Sequence, residues 1–267
     1  MTRLLAVLVV ALAAVPAARA DGPMPNAAQN GLGAVLDPTT RIVAAGTWDS
    51  SQTMLERIST TTGEVESSVP LLGAWGIPYV VSTRPEGLSA DGRVLVLGQL
   101  GFTYPRRHSG FLFVDPRSLK VRDAVTLQGD FAYDALSPDG KRLYLIQHTS
   151  EQDLSKYVVR AYDIPTRRLL PGRIADRTQK SWVMDGYPLD RVSSPDGRMV
   201  YTLYENPGGF PFVHELDTVK GVAHCVGLPW RGSMNAPYNM RLSLRGTTLR
   251  VHWLSGHPWM RVDTTSY

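Results

Sequence analysis

The sequence predicts an all-β fold built from about five similar four-stranded units, and three observations support this prediction. The 24 glycines and 19 prolines, about one residue in six, favour many short elements joined by turns over a helical bundle. A Ser-x-Asp-Gly turn signal recurs along the chain, each time before a run rich in β-branched and aromatic residues. A second polar turn signal lies between successive copies of the first. Such a repeat is typical of a β-propeller, in which each unit forms one blade.

Residues 1–20 are predicted to form a cleaved signal peptide. Arg3 gives a basic start, residues 4–15 are an apolar run, and an Ala-Arg-Ala sequence ends at residue 20. The apolar run is shorter than the roughly 20 residues that a membrane-spanning helix needs. We therefore expect a secreted protein with no membrane span, a tail over residues 21–33 and a propeller domain over residues 34–267.

The first turn signal recurs with a period near 50 residues. Its glycines are Gly92, Gly140 and Gly197, and degenerate copies end at Thr40 and Gly246. The intervals between these five positions are 52, 48, 57 and 49 residues. Pro-Asp-Gly sequences favour a tight turn in which glycine takes a positive φ angle. We expect each copy to join the first and second strands of one blade.

The second turn signal joins the third and fourth strands of each unit, as in the sequence around Asp115, Asp163 and Asp217. Four strands in each unit favour a propeller over a stack of separate sandwiches, which would need complementary pairs of sheets. The fifth copy reaches Tyr267 after its third strand. Its fourth strand is therefore absent or comes from elsewhere, and the Pro-rich N-terminal tail is one possible source.

Two of the turn sequences, over residues 137–146 and 194–203, resemble the TolB-type, WD-repeat-like pattern S-P-D-G-[KR]-x-[LIV]-[YAV]. Residues 89–98 follow it with Ala90 in place of proline. The resemblance extends over residues 34–267 and implies a propeller, but it implies no activity, since similar repeats occur in accessory scaffolds, lactonase-like enzymes and peptidase propeller domains. The chain also resembles secreted propellers of high-GC Gram-positive bacteria, whose coding bias its 23 arginines and 5 lysines fit.

The charge and cysteine content argue against two classes of protein. The net charge is +4, and removal of the signal peptide, with its two arginines, lowers it to +2. The longest basic clusters are pairs of arginines, so we expect no nucleic-acid partner. Cys225 is the single cysteine, which excludes an intramolecular disulfide. We place it on an outer strand as a packing residue.

The connections between strands are predicted to differ between the two faces of the propeller. Both turn signals lie on one face, whereas the longer, irregular connections lie on the other, which is the candidate binding face. Aromatic and arginine side chains in these connections suit recognition of a protein or a glycan. The alternative is that the aromatic residues only pack the loops over the blades. The candidates are Trp75, Tyr79, Arg84, Tyr104, Arg106, Asp130, Phe131, Trp182, Asp185, Tyr187, Trp230 and Arg231.

Alignment of the repeats on the turn serine places Glu86, Asp134 and Arg191 at one position beside the central channel, with Asp190 adjacent. A ring of carboxylates there could bind a cation such as calcium, which prefers oxygen ligands. The alternative is a hydrated channel mouth in which Arg191 neutralises its neighbours. No other metal and no cofactor is expected.

The sequence favours a non-enzymatic binding protein over an enzyme. It contains no G-x-S-x-G elbow and no zinc-peptidase helix motif. The alternative is a lactonase-like or other metal-assisted hydrolase that uses Glu86, Asp134 and His148 in the channel. Neither the ligand nor the oligomeric state can be read from the sequence.

Overall fold

The computed structural model describes residues 33–47, 51–80, 82, 84–101, 104–176, 178, 184–206, 209–232 and 236–265. The predicted signal peptide, residues 21–32 of the predicted tail, and Trp182 lie outside the described residues. No helix within the described ranges is long and apolar enough to cross a membrane.

Five antiparallel sheets follow one another along the chain, which confirms the predicted count of about five blades. Blade 1 contains β1 (Ala34–Asp37), β2 (Thr40–Gly46), β3 (Gln52–Ser59) and β4 (Val65–Leu72). Blade 2 contains β5 (Trp75–Gly76), β6 (Leu95–Gln99), β7 (His108–Val114) and β8 (Val121–Gln128). Blade 3 contains β9 (Phe131–Leu136), β10 (Arg142–His148), β11 (Lys156–Asp163), β12 (Arg168–Leu169) and β13 (Met184–Asp185).

Blades 4 and 5 complete the series. Blade 4 contains β14 (Tyr187–Ser193), β15 (Met199–Glu205), β16 (Phe212–Asp217) and β17 (Val222–Gly227). After a short 3₁₀ helix (Ala236–Asn239), blade 5 contains β18 (Met240–Arg245), β19 (Thr248–Trp253) and β20 (Pro258–Asp263). Blade 5 therefore has three strands among the described residues, as the sequence predicts for the last repeat.

The Ser-x-Asp-Gly turns share one hydrogen-bonded geometry. In blade 3, the Ser137 hydroxyl donates to Asp139 (2.8 Å) and accepts from the Arg142 amide (2.9 Å). The Gly140 amide donates to the Ser137 carbonyl (2.9 Å), and Gly140 has a φ of 66°. The equivalent contacts recur in blades 2 and 4. The repeated sequence thus specifies the turn through side-chain contacts with the backbone.

Two blades contain an interrupted strand. The inner strand of blade 2 starts at β5, leaves the sheet over residues 77–86 and pairs again where Leu88 meets Leu95. The outer strand of blade 3 is formed by β12, then Ile174, then β13, all paired with β11. Between its paired parts, each interrupted strand leaves its own blade and contacts another blade, and we call such a segment an excursion.

The core consists of four apolar clusters, one at each interface between successive blades from 1 to 5. Leu55 and Leu97 belong to the first cluster, and Leu189 and Val251 belong to the last. Within the described residues no fifth cluster joins blade 5 to blade 1. In each blade, the turn between the first and second strands and, where a fourth strand follows, the turn between the third and fourth strands lie on one face, which we call the short-turn face. We call the opposite face the loop-rich face.

Candidate functional site

Arg191 connects three blades from the middle of inner strand β14. Its guanidinium donates to Asp134 of β9 at 2.8 Å, to Glu86 of blade 2, and to the Thr202 hydroxyl of β15 at 2.8 Å. The Arg191 and Asp134 side chains are 3% and 1% exposed. The structure therefore brings together the three residues that the alignment placed at one position. They lie inside the channel rather than at its mouth, because β9 and β14 begin three or more residues earlier.

Asp190 faces away from this group. Its carboxylate accepts a 2.5 Å hydrogen bond from the Leu242 amide of β18 and is fully buried. It therefore connects blade 4 to blade 5, which is a role that the sequence did not predict. Within the described residues no group of three or more His, Cys, Asp or Glu side chains is placed to hold a metal ion. The Arg191 guanidinium lies between the Glu86 and Asp134 carboxylates and supplies the positive charge at this position.

The burial of these charges shifts their pKa values. Burial raises the pKa of Glu86 to about 7, although the Arg191 guanidinium acts in the opposite direction. Burial also disfavours the charged form of Arg191, but Glu86 and Asp134 outweigh it and raise the Arg191 pKa. Arg191 therefore stays charged, whereas Glu86 can exchange a proton near neutral pH.

A cavity of about 460 Å³ lies beside this cluster, between the inner strands of blades 1 to 4. Gly33–Val35, Glu86–Leu88, Tyr133–Leu136 and Arg191–Pro195 are among its lining residues. Its volume falls within the range of pockets that accept small molecules. Glu86 is the acidic side chain of the cluster that retains some exposure, at 11%.

The excursion over residues 77–86 crosses from blade 2 to blade 4. The Ser82 amide donates to the Leu189 carbonyl and the Arg84 guanidinium to the Arg191 carbonyl, both at 2.8 Å. Arg84 also lies 3.9 Å from the Asp190 carboxylate. Tyr79, in the same segment, is 6% exposed. Arg84 therefore connects this segment to blade 4, although its side chain is 44% exposed, and the Tyr79 side chain is buried.

Most candidates on blades 2 and 3 form structural contacts. Arg106 donates to Asp130 at 2.7 Å and lies 5.4 Å above the Tyr104 ring. Burial would raise the pKa of Asp130, but His148 and Arg106 outweigh it and lower that pKa. Phe131 is 1% exposed and lies in the cluster between blades 2 and 3.

Trp75 and Asp185 are also held by neighbours. The Trp75 indole donates to the Leu72 carbonyl at 2.7 Å and packs against the cluster between blades 1 and 2. Asp185 accepts from the Ser155 hydroxyl at 2.6 Å and pairs with Lys156. Neither side chain projects freely from the loop-rich face.

Three loops of blades 4 and 5 form a continuous part of the loop-rich face. The Leu228 amide donates to the Pro211 carbonyl (2.9 Å), and the Leu254 amide donates to the Asn239 carbonyl (2.7 Å). Trp230 packs edge-on against Trp259 at a centroid distance of 5.3 Å. These loops carry apolar and cationic side chains, all exposed except the partly buried Trp230, which we call the blade 4–5 patch: Phe210, Trp230, Arg231, Tyr238 and Leu254.

The sequence candidates include part of this patch. Trp230 and Arg231 were predicted, and Tyr187 lies nearby at the start of β14, partly buried. Phe210 and Leu254 were missed, although they are 61% and 58% exposed. Phe210 lies between Gly209 and Pro211, and a large apolar residue within such a turn sequence is a signal that could have identified it.

Cys225 lies on β17, the outer strand of blade 4, as the sequence predicts. Its thiol is 3.6 Å from a ring nitrogen of the buried His214. Burial raises the pKa of Cys225 to about 12, so the thiol is protonated and unreactive at neutral pH.

Comparisons with known proteins give the fold alone. No family model matches the sequence, and no curated protein matches it. Kuenenia stuttgartiensis hydrazine synthase is similar in structure with a TM-score of 0.55 and 17% identity, over 85% of this chain and 68% of that one. The fold is a β-propeller. The Cps50 (Swd1) propeller domain of Myceliophteria thermophila was also found, with a TM-score of 0.49 and 10% identity over 88% of this chain and 65% of that one. The Dos1 propeller was found with a TM-score of 0.46 and 11% identity over 79% of this chain and 47% of that one.

Proposed function

We propose that the chain is an exported, non-enzymatic propeller that binds a protein or a glycan through its loop-rich face. The observation that supports this proposal is the blade 4–5 patch, where Phe210, Tyr238 and Leu254 are 61%, 39% and 58% exposed. Clustered exposed apolar side chains on a rigid scaffold suit recognition of a partner. Arg231 at the edge of the patch supplies a charged hydrogen-bond donor.

The composition of the patch favours a protein over a glycan. Sugar rings stack on flat aromatic faces, and Tyr238 and Phe210 can provide these. Leu254 has no flat face, and an exposed leucine on the same face of the molecule as aromatic residues fits an apolar protein surface better. We therefore expect a protein ligand as the main partner class, and we retain a glycan as the second.

The test compares binding of the wild-type protein and a patch variant, Phe210→Ser/Tyr238→Ser/Leu254→Ser. The probes are a glycan array and a library of displayed folded domains. We expect wild type to select members of the domain library, and we expect the patch variant to bind them at least about tenfold more weakly, because buried apolar anchors dominate interface energetics.

A matched control variant removes three exposed valines from the short-turn face. Val121, Val219 and Val222 are 42%, 55% and 44% exposed. The variant Val121→Ser/Val219→Ser/Val222→Ser should bind the selected probes like wild type. Equal loss in both variants, or no selective binding to either probe set, would contradict the proposal.

The alternative function, a metal-assisted hydrolase in the channel, has weaker support. Its three proposed residues divide into two groups, since His148 lies 3.3 Å from Asp130 while Glu86 and Asp134 pair with Arg191. Asp130 and Asp134 are separated by about 13 Å of extended strand. A screen of lactones and esters with divalent metals tests this alternative, and hydrolysis abolished by Glu86→Gln would support it.

A further inference from the structure

We propose that the cavity beside Arg191 binds a small organic cation, a protonated amine on a compact apolar body, with the amine against the Glu86 and Asp134 carboxylates. This inference concerns the channel and is independent of the blade 4–5 patch and of the ligand proposed for that patch. It rests on the lining of the cavity, on a buried carboxylate oxygen without a partner and on the charge balance of the cluster.

The cavity combines a charged end with apolar walls. Glu86, Asp134 and Arg191 line it at the level of the ion cluster, and strands β9 and β14 run from there toward the short-turn face. Most of the other lining residues are apolar, among them Leu88, Leu136, Val192 and Val200. Val35 also lines the cavity and is 66% exposed, so the cavity opens to solvent beside blade 1. Apolar walls with a few polar groups at one end suit a small molecule that carries one charged group.

Asp134 has a buried oxygen atom without a hydrogen-bond donor. Its Oδ1 atom accepts from Arg191 at 2.8 Å, whereas its Oδ2 atom has no hydrogen-bond partner within the described part of the chain. The Asp134 side chain is 1% exposed, and the residue lines the cavity. A buried carboxylate oxygen without a partner costs free energy, and an ammonium group carries three donors. An amine at this end of the cavity would donate to Asp134 and to Glu86 together.

The charge of the cluster favours a cation over an anion or a neutral ligand. Glu86 and Asp134 carry two negative charges when both are ionised, and Arg191 supplies one positive charge. Arg84 also lines the cavity, but it lies 3.9 Å from the Asp190 carboxylate, which balances it. One negative charge is therefore uncompensated. A cation neutralises that charge, whereas an anion adds to the repulsion in a region that water screens poorly.

Glu86 links binding in the cavity to pH. The charged and titratable groups that act on its carboxylate are Tyr133 and Asp134 of β9 and Asp190 and Arg191 of β14. Burial raises the pKa of Glu86 to about 7, so the carboxyl group is about one tenth ionised at pH 6 and about nine tenths ionised at pH 8. A bound amine favours the ionised form. The affinity for an amine should therefore rise about tenfold from pH 6 to pH 8.

The test is an NMR titration of the wild-type protein with matched sets of ligands. The probes are benzylamine, 2-phenylethylamine and tryptamine, each with the alcohol and the carboxylate of the same apolar body, at concentrations up to about 5 mM. We expect at least one amine to bind, and its alcohol and carboxylate counterparts to bind at least about tenfold more weakly. The amines stay protonated between pH 6 and pH 8, as the lysine ammonium does, so the expected change of affinity with pH reports Glu86.

Two variants and one control locate the site. Glu86→Gln keeps the size of the side chain, and it should weaken amine binding at least about tenfold at pH 8 and remove the dependence on pH. Val35→Trp places a larger side chain at the opening and should also weaken binding. The control Val65→Trp, at a 51% exposed position of β4 that does not line the cavity, should bind like wild type. Thermal melts check that each variant is folded.

The titrations of wild type need no substitution, so they decide the matter even for a variant that does not fold. Failure of all three amines to bind would overturn the proposal, and so would equal affinities for an amine and its alcohol. Amine binding that Glu86→Gln leaves unchanged would place the amine elsewhere on the molecule and would also overturn it.

Discussion

Arg191 has a buried charge that depends on carboxylates from two other blades. Removing one member of a buried ion pair costs more than the pair contributes, because the remaining charges lose their partner in a region that excludes water. Here two carboxylates, Glu86 and Asp134, share one guanidinium. At the scale of single residues, both carboxylates in the channel therefore depend on the charge of Arg191.

The substitution Arg191→Met keeps the apolar stem and removes the charge. We expect it to lower the free energy of unfolding by about 3–5 kcal/mol, measured by urea denaturation at pH 7.5. The control Arg231→Met, at an exposed position, should change that free energy by less than about 0.5 kcal/mol. A loss below about 1 kcal/mol for Arg191→Met would contradict the assigned role of the guanidinium.

Glu86 makes stability depend on pH near neutrality. Its pKa rises from 4.5 to about 7 on folding, so the folded chain holds a proton that the unfolded chain releases between these values. Its contribution to stability is therefore present below pH 4.5 and is lost as the pH rises to about 7.

The variant Glu86→Gln isolates this contribution. The difference in unfolding free energy, wild type minus variant, should fall by about 2–3 kcal/mol between pH 5 and pH 8. Glu215, whose pKa burial also raises to about 7, is present in both proteins and cancels in the difference. A difference that stays constant with pH would mean that Glu86 keeps an ordinary pKa.

At the scale of elements, the turns on the short-turn face contact one another across blades. A Cβ atom on Gly197 of blade 4 would lie 2.6 Å from the Ala90 Cβ of blade 2, and Gly197 has a φ of 70°. Gly246 occupies the equivalent turn of blade 5 with a φ of 57°, but it has no atom within 4 Å of the corresponding Cβ position. Substitution of each of these two glycines by alanine therefore distinguishes the cost of backbone strain, which both positions have, from the cost of a steric clash, which only Gly197 has.

Gly246→Ala should destabilise the fold by about 1 kcal/mol, because alanine disfavours a positive φ. Gly197→Ala carries the same strain together with the collision, and it should cost a further 1–3 kcal/mol or so in thermal or urea unfolding. The double variant Ala90→Gly/Gly197→Ala should recover most of the added cost. Equal losses for the two single variants would show that the turns of blades 2 and 4 are not in contact.

The repeat pattern predicted the elements well because the turn sequences determine local structure directly. The contacts of Ser137, Asp139 and Gly140 recur at the equivalent residues of every intact copy. The period of this turn along the chain therefore gives the number of blades. The interrupted strands around residues 77–86 and 174–184 were not predicted, since their pairing depends on contacts with other blades. For the same reason, the alignment placed Glu86, Asp134 and Arg191 together, but only the structure could distinguish Asp190, which faces blade 5.

At the scale of the molecule, contacts between neighbouring blades are supplemented by a connection across the channel. Successive blades share one apolar cluster at each interface, which by itself resembles the nearest-neighbour organisation of a solenoid. The excursion over residues 77–86 adds direct contacts between blades 2 and 4 through Ser82 and Arg84. Blades 2 and 4 should therefore unfold together.

The variant Arg84→Ala tests this coupling. In wild type, peptides from β6 and β15 should show the same opening free energy by hydrogen exchange across a urea series. In Arg84→Ala, we expect β15 to open at a lower urea concentration than β6, with a separation of about 1 kcal/mol or more. The control Arg93→Ala, at a mostly exposed side chain of blade 2, should leave the two peptides together. Separate opening in wild type would contradict the coupling.

The contact between Gly197 and Ala90 also limits how freely the five repeats can be exchanged or made identical. Blades 3 and 4 carry proline where blade 2 carries Ala90, and a proline at residue 90 would enlarge the side chain that faces Gly197. Consensus engineering, which replaces each deviating residue by the common one, would remove the deviation that allows the two turns to meet. The turns of blades 2 and 4 are therefore fitted to each other, and a blade with proline at this position, moved into the place of blade 2, would bring a larger side chain toward Gly197.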